Sequence, residues 1–559
     1  MKALVFTLAA LASTVPGLRP AAGQEAPPAE PPAGLFGEQI DVRVVNVEVV
    51  VTDKDGNRVS GLVPSDFTLK VDGKPMPVEY FSEVRGGQAL APGAVAGADA
   101  LPGLPSLAPG AAVGTSYLVF IDDYFSLEPR RNEVLRKLKD DLARLRPEDR
   151  MAVVAWDGRS LDMLSTWSNT ERILSRAFDQ ALARPSYGVQ RLAERRSFDT
   201  TRRHNASLGV VPGPRSAFSQ QLNIEEIGYA GDLANQVGRT VNAAVSTLRG
   251  FASPPGRKVM LLLSGGWPYS PADYAVDDPN RVLVSSREVP RGEELLRSLA
   301  DTANLLGYTI YPIDVPGVDA QGPDASQAEA EAATGLNRRE QEMHQSLEFI
   351  AEGTGGKAML NSLREEAFSR AETDTRSYYW LGFTPGWQKN DKRHKVEVDV
   401  NRPGLKVRSR DSFLDLSRKS EVTMMVESAM LFGSPPGATP LPIQIGTPVQ
   451  EGRREMVVPI TLAIPVAAVT MVPLDGKIVA ELELRVASVD ENGDRSDVPV
   501  VPLRMSLDEA PPKEAHLRYD TKIRLRRIDH HVVVAIFDPL SGHILTAEAD
   551  VKAVDGKKK

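Results

Sequence analysis

The chain has 559 residues, 42% apolar and 25% charged, the balance of a soluble globular protein and too long for one core. A formal charge of −8 leaves no overall basic surface to replace phosphate counterions, so no nucleic-acid partner is expected. With no cysteine, disulfides, thiolate nucleophiles and Cys-based metal sites are excluded.

Residues 1–23 have the pattern of a signal peptide: Lys2 starts it, Ala3 to Val15 is apolar, and Ala21-Ala22-Gly23 offers small residues for cleavage. That apolar run is shorter than the roughly 20 residues a membrane helix needs, and no later stretch qualifies. The expected location is therefore extracytoplasmic, either periplasmic or secreted, with no transmembrane segment. Residues 24–36 are a Pro/Ala-rich linker. Residues 37–85 read as a small β domain, in which Val42, Val44, Val47, Val49 and Val51 mostly alternate with other residues. Asp55-Gly56-Asn57 and Asp72-Gly73-Lys74 supply its turns. Residues 86–115 form a Gly/Ala/Pro linker.

Residues 116–360 alternate strands and helices. Tyr117 to Ile121, Met151 to Trp156, Lys258 to Leu263 and Tyr308 to Asp314 are short apolar runs, as expected of strands buried on both faces. Between them, Asn132 to Arg146 places Leu135, Leu138, Leu142 and Leu145 on one helical face. Residues 184–222 are polar, rich in arginine and irregular, and read as a long inserted loop. The alternation predicts an α/β fold with a doubly wound, mostly parallel sheet. Residues 361–415 return to strands as a β extension, and 421–556 alternate as a C-terminal β-sandwich-like domain.

Three groups of residues, in this order and spacing, resemble the VWFA-related family described from acidobacteria. The first runs from Val47-Glu48-Val49-Val50-Val51-Thr52-Asp53 to Asp66-Phe67. The second is Pro255-Gly256-Arg257-Lys258 with Ser264-Gly265-Gly266, Tyr311-Pro312-Ile313-Asp314 and Thr354-Gly355-Gly356. The third is Tyr378-Tyr379-Trp380-Leu381-Gly382-Phe383-Thr384-Pro385, followed by Arg402-Pro403-Gly404 and Val407-Arg408-Ser409-Arg410. The resemblance implies a von Willebrand A-type α/β domain between β modules, and export. It implies no particular activity.

Such domains often hold Mg²⁺ at a metal-ion-dependent adhesion site, through an Asp-x-Ser-x-Ser loop, a Thr and a further Asp, because the ion takes oxygen ligands. Here Asp122 and Ser126 match the first and last loop positions, but Tyr124 replaces the middle serine and Gly265 replaces the later Asp. Asp123 and Asp157 are the candidates for restoring a carboxylate, and Thr200 and Thr201 for the threonine. The site therefore reads as degenerate. Magnesium at Asp122 and Ser126, with Asp123 as a further ligand, is the one cofactor left open, against a metal-free loop in which Asp122 caps the following turn.

Other patterns point to structure. Asp53-x-Asp55-x-Asn57 lacks the glutamate of a calcium loop and reads as a turn. The seven histidines include no His-Glu-x-x-His, and the glycine fingerprints of nucleotide sites are absent. Arg184, Arg191, Arg195, Arg196, Arg202, Arg203 and Arg215 crowd the inserted segment, either as a solvated loop or as a docking surface for an acidic partner. The reading that results is a non-enzymatic module that binds a protein partner through Asp123, Tyr124, Ser264, Gly265, Gly266 and Trp267. A metal-dependent adhesion protein and a hydrolase using the Ser264 or Asp122 region are the alternatives.

Overall fold

The computed structural model describes residues 45–90, 110, 112–207, 217–251, 256–276, 289–315, 330–361, 366–386, 390–432, 438–474, 476–491 and 496–554. The signal peptide 1–23, the linker 24–36 and most of the linker 86–115 lie outside them. The chain divides into two compact units, Val44–Pro435 and a second that contains Pro436–Lys559.

In the first unit, Val45, Val47, Val49 and Val51 of the strand Val45–Thr52 all enter one apolar core, as the period-two geometry of a strand requires. The neighbours of this strand come from far along the chain. It pairs antiparallel with Tyr378–Phe383 on one side and Lys406–Ser409 on the other. Across the core, Phe67–Val71 pairs with Lys392–Val400. The two β segments that the sequence separates, before and after the central stretch, thus interleave in one pair of facing sheets. Their shared core includes Phe67, Phe81 and Tyr379, with ring centroids 5.3–5.7 Å apart.

Between these halves lies a five-stranded sheet in the order Tyr308–Asp314, Arg257–Ser264, Thr115–Asp122, Arg150–Trp156, Leu161–Ser168. The first four strands are parallel. Thr115–Asp122 is buried along its whole length. One face packs beneath the helices Glu128–Asp140 and Glu171–Ala183. The other packs beneath Ala217–Gly250 and Gly292–Leu306.

The expected doubly wound, mostly parallel fold of von Willebrand A type does not describe the chain. Among the described residues the strands form five sheets, and four are built by antiparallel pairing, apart from one two-residue parallel contact at Thr439–Pro440. The fifth sheet is mixed, because Leu161–Ser168 runs antiparallel to Arg150–Trp156. The physical reason is the length of the connection. Asp157 to Ser160 make a hairpin turn, too short for the crossover that a parallel neighbour needs. The chain is β-rich, with sandwich-like sheets around one mixed sheet.

A second departure is the segment 184–222, where the helix Gly188–Ser207 and the start of the helix Ala217–Gly250 replace the expected loop. The second unit, taken by itself, packs two antiparallel sheets over a core that includes Val458, Ile460, Leu462, Leu482, Leu484, Val534 and Ile536.

The first unit is tied internally by charges that are wholly or partly buried. Asp374 accepts from Arg58, from Arg408 and from the Tyr311 hydroxyl. Burial alone would raise its pKa, but Arg408 and Arg58 overcome this and hold it at about 2. Arg257, 1% exposed, pairs with Glu48 at 3.1 Å, joining the mixed sheet to the first β strand. Replacing one member of such a pair strands the remaining charge. Asp374→Ala is therefore expected to destabilise the folded chain by about 1.5–3 kcal/mol, and Tyr311→Phe by about 1 kcal/mol, in urea unfolding. An unchanged unfolding midpoint in Asp374→Ala would contradict this account.

Candidate functional site

The four parallel strands end on one edge, which is where open sheets of this kind place ligands. Asp122 ends the central strand and is fully buried. Its Oδ1 accepts the backbone N–H groups of Tyr124 and Phe125, both at 3.1 Å. Its Oδ2 accepts the Ser264 hydroxyl at 2.7 Å and the Trp267 indole N–H at 2.9 Å. One carboxylate thus joins the loop after one strand to the loop after its neighbour. Burial pushes its pKa up to about 6, against the opposing pull of the Ser264 and Trp267 hydrogen bonds.

Asp123 is equally buried, with Oδ1 paired to Arg131 and Oδ2 to Arg184 at 2.7 Å. Burial raises its pKa while the two guanidiniums oppose the shift. The Tyr124 ring leaves no room for a side chain at Gly158, where a Cβ would lie 2.3 Å from it. Its hydroxyl accepts from Arg191 at 2.6 Å. Ser126 is fully buried, and its hydroxyl makes no hydrogen bond among the described residues.

On the second loop, Gly265 is buried. Gly266 has φ +81°, and a Cβ there would come within 2.8 Å of Met343 on the helix Ala330–Gly353. The Trp267 backbone N–H reaches Ser346 of the same helix at 3.1 Å. Trp267 itself is fully buried.

The structure therefore brings all the expected residues to one edge, yet beneath the surface. Asp123, Tyr124, Ser264, Gly265, Gly266 and Trp267 are each buried and form the floor of the edge. What covers them is the arginine-rich segment. The Tyr187 N–H bonds to the Asp123 carbonyl at 2.8 Å, and the Gly188 N–H bonds to the Ser126 carbonyl at 3.1 Å. Arg184 bridges Asp123 and Asp162. Arg195, 3% exposed, donates to the Tyr274 carbonyl at 2.9 Å and pairs with Asp199 at 3.1 Å. Sequence reasoning overlooked Arg131 as the partner of Asp123. The one available signal was an arginine in the first turns of an otherwise apolar-faced helix.

The donor set does not fit magnesium. Both Asp122 oxygens already hold two donors each. Asp123 is neutralised by two arginines, and the Tyr124 hydroxyl faces a third. Asp157 accepts from the backbone of Arg159 and Ser160 in its own turn. Thr200 and Thr201 are exposed on the helix Gly188–Ser207. Of the expected ligands that are buried at this edge, the Ser126 hydroxyl is the one left unengaged, and one hydroxyl does not replace several shed waters. Ser264, buried and donating to Asp122, is not an exposed nucleophile. Among the described histidines, His344 lies 3.6 Å from Asp314, while His394 pairs with Asp72 and stacks on Phe413. Asp53 closes its own turn by accepting from Asp55 and Asn57.

No protein family matches this chain, and no curated protein matches it. Among solved structures it is similar to three N-terminal domains of the type V pili tip protein Mfa5 from Porphyromonas gingivalis. There the identity is 10%, the coverage 88% of this chain and 78% of that one, and the TM-score 0.25. It is similar to the pilus adhesin SpaC from Lactobacillus rhamnosus GG at 7% identity, 78% and 56% coverage and a TM-score of 0.23. It is also similar to bovine butyrophilin at 12% identity, 32% and 64% coverage and a TM-score of 0.12. The chain thus spans less than two thirds of the adhesin and of butyrophilin.

Two outcomes are expected of this site. Calorimetric titration with Mg²⁺ or Mn²⁺ should give no binding heat, in the wild type and in Asp122→Ala alike. A saturable heat that vanishes in Asp122→Ala would restore the metal. The second concerns pH. A folded-state pKa of about 6 lies above the ordinary 3.8, so the folded state holds this proton more tightly than the unfolded state. Ionised Asp122 therefore costs stability above pH 6, roughly 3 kcal/mol in full, and the cost is relieved as the pH falls toward 4. Between pH 7 and pH 5 the wild type should gain about 1.4 kcal/mol over Asp122→Asn in urea unfolding. A difference that stays constant with pH would show that Asp122 does not titrate there.

Proposed function

We propose that this chain is an exported, non-enzymatic protein-interaction protein, and that it meets its partner through the helical segment covering the carboxyl edge of the mixed sheet. Export is inferred from the signal-peptide pattern of residues 1–23. The observation that carries the binding reading is the closure of that edge by the protein's own groups. Asp122, Asp123, Tyr124 and Ser264 are each engaged by a neighbouring side chain, leaving a closed platform with no open catalytic set among the described residues. Rigid elements that present exposed polar side chains suit recognition. Above the platform, Val189, Arg196 and Arg239 are exposed.

The test is photo-crosslinking with the full chain against an envelope fraction. A benzophenone side chain at Val189 is expected to capture a discrete protein. One at Ile173, exposed on the helix Glu171–Ala183, is expected to capture none. Equal capture from both positions, or capture from neither, would count against the assignment.

A further inference from the structure

Arginine covers Tyr124. The Arg191 guanidinium lies 4.6 Å from the ring centroid and donates to the phenol oxygen at 2.6 Å. Arg239, exposed on the helix Ala217–Gly250, also acts on this phenol, its positive charge opposing the rise in pKa that burial imposes. Two guanidinium charges thus gather at one phenol. Like charges gathered in this way repel unless an anion stands between them.

The anions nearby leave this pair under-compensated. Glu194 pairs with Arg191. Asp123 is held between Arg131 and Arg184, and Asp157 is engaged in its own turn. Among the described residues Arg239 has no ion-pair partner, and the Arg191 Nε is buried without an acceptor on a side chain only 10% exposed. Arg159 follows the glycine that packs on the Tyr124 ring, and it is exposed. Donors and positive charge are thus left over at one spot of a chain whose overall charge is −8. Guanidinium forks match the two oxygens of a carboxylate in spacing and direction.

We infer that the Arg191–Arg239 pair over Tyr124 receives an acidic side chain of the protein partner, bound by guanidinium directly with no bridging metal ion. The inference rests on the protein-interaction reading and deepens it. Arg239 supplies the accessible donors, Arg191 the charge behind them, and the phenol holds Arg191 in place.

The probe is fluorescein-labelled octaglutamate, followed by fluorescence anisotropy with the full chain in low salt and EDTA. Saturable binding is expected, unchanged by added Mg²⁺ and weakened by salt. Arg239→Glu should bind about tenfold more weakly or worse, a loss of about 1.4 kcal/mol or more. Arg518→Glu, at an exposed arginine of the second unit, should bind like the wild type. The inference is overturned if no binding occurs, if Arg239→Glu binds like the wild type, or if Arg518→Glu weakens binding equally. It is also overturned if an oligothymidylate of equal charge binds as tightly, because the surface would then be a general polyanion trap. Should Arg239→Glu leave octaglutamate binding intact while Val189 still captures a protein, the receptor assignment falls and the interaction reading stands. Should capture at Val189 fail while octaglutamate binding depends on Arg239, the interaction reading falls and the carboxylate site remains.

Discussion

The buried carboxylate of Asp122 is the constraint around which the edge of the mixed sheet is organised. A charged group removed from water must find its donors within the protein, and here it finds four. Two come from its own loop and two from the loop after the neighbouring strand. The same demand runs outward through Asp123, which draws in Arg131 and Arg184, and Tyr124, which draws in Arg191. The arginine-rich helix is therefore docked by the needs of a few acceptors as well as by apolar burial. Each of these acceptors is met by backbone or side-chain donors of the chain itself.

Part of this was legible in the sequence. Asp122 stood out because a short apolar run stops at a pair of acids, the pattern of a fully buried strand reaching its edge. Ser264 and Trp267 could be grouped with it because their strand ends in the same way. Their hydrogen bonds to Asp122 carry no local signal. The side chains meet across more than 140 positions, and only the strand order places them side by side. Burial was the larger gap. Small and polar residues at the end of a strand look like an exposed loop until the element that covers them is known.

That element was the hardest to read. Apolar periodicity is the main sign of a helix, and Gly188–Ser207 has little of it, because arginine occupies an inward position. Arg195 is buried among Phe198, Tyr229 and Tyr274, with its charge balanced by Asp199. A pattern search counts such a residue as solvent-facing. The mixed sheet was misread for a related reason. Strand–helix alternation was extended over a hairpin whose four-residue turn leaves no room for a crossover.

The interleaving of the two β segments bears on how the chain is made. Val45–Thr52 has two sheet neighbours, Tyr378–Phe383 and Lys406–Ser409, and both are synthesised long after it. Apart from the turn that brings Arg58 and Val59 back to its end, this strand has no native partner until residue 378 has left the ribosome. Its valine-rich face and unpaired edge must be kept from other chains for all that time. Under the export proposed above, a chain threaded outward from its N-terminus would deliver the first half of the sandwich across the membrane well before the second. The strand Val45–Thr52 is thus among the last to be secured, and it is there that protection from other chains matters most.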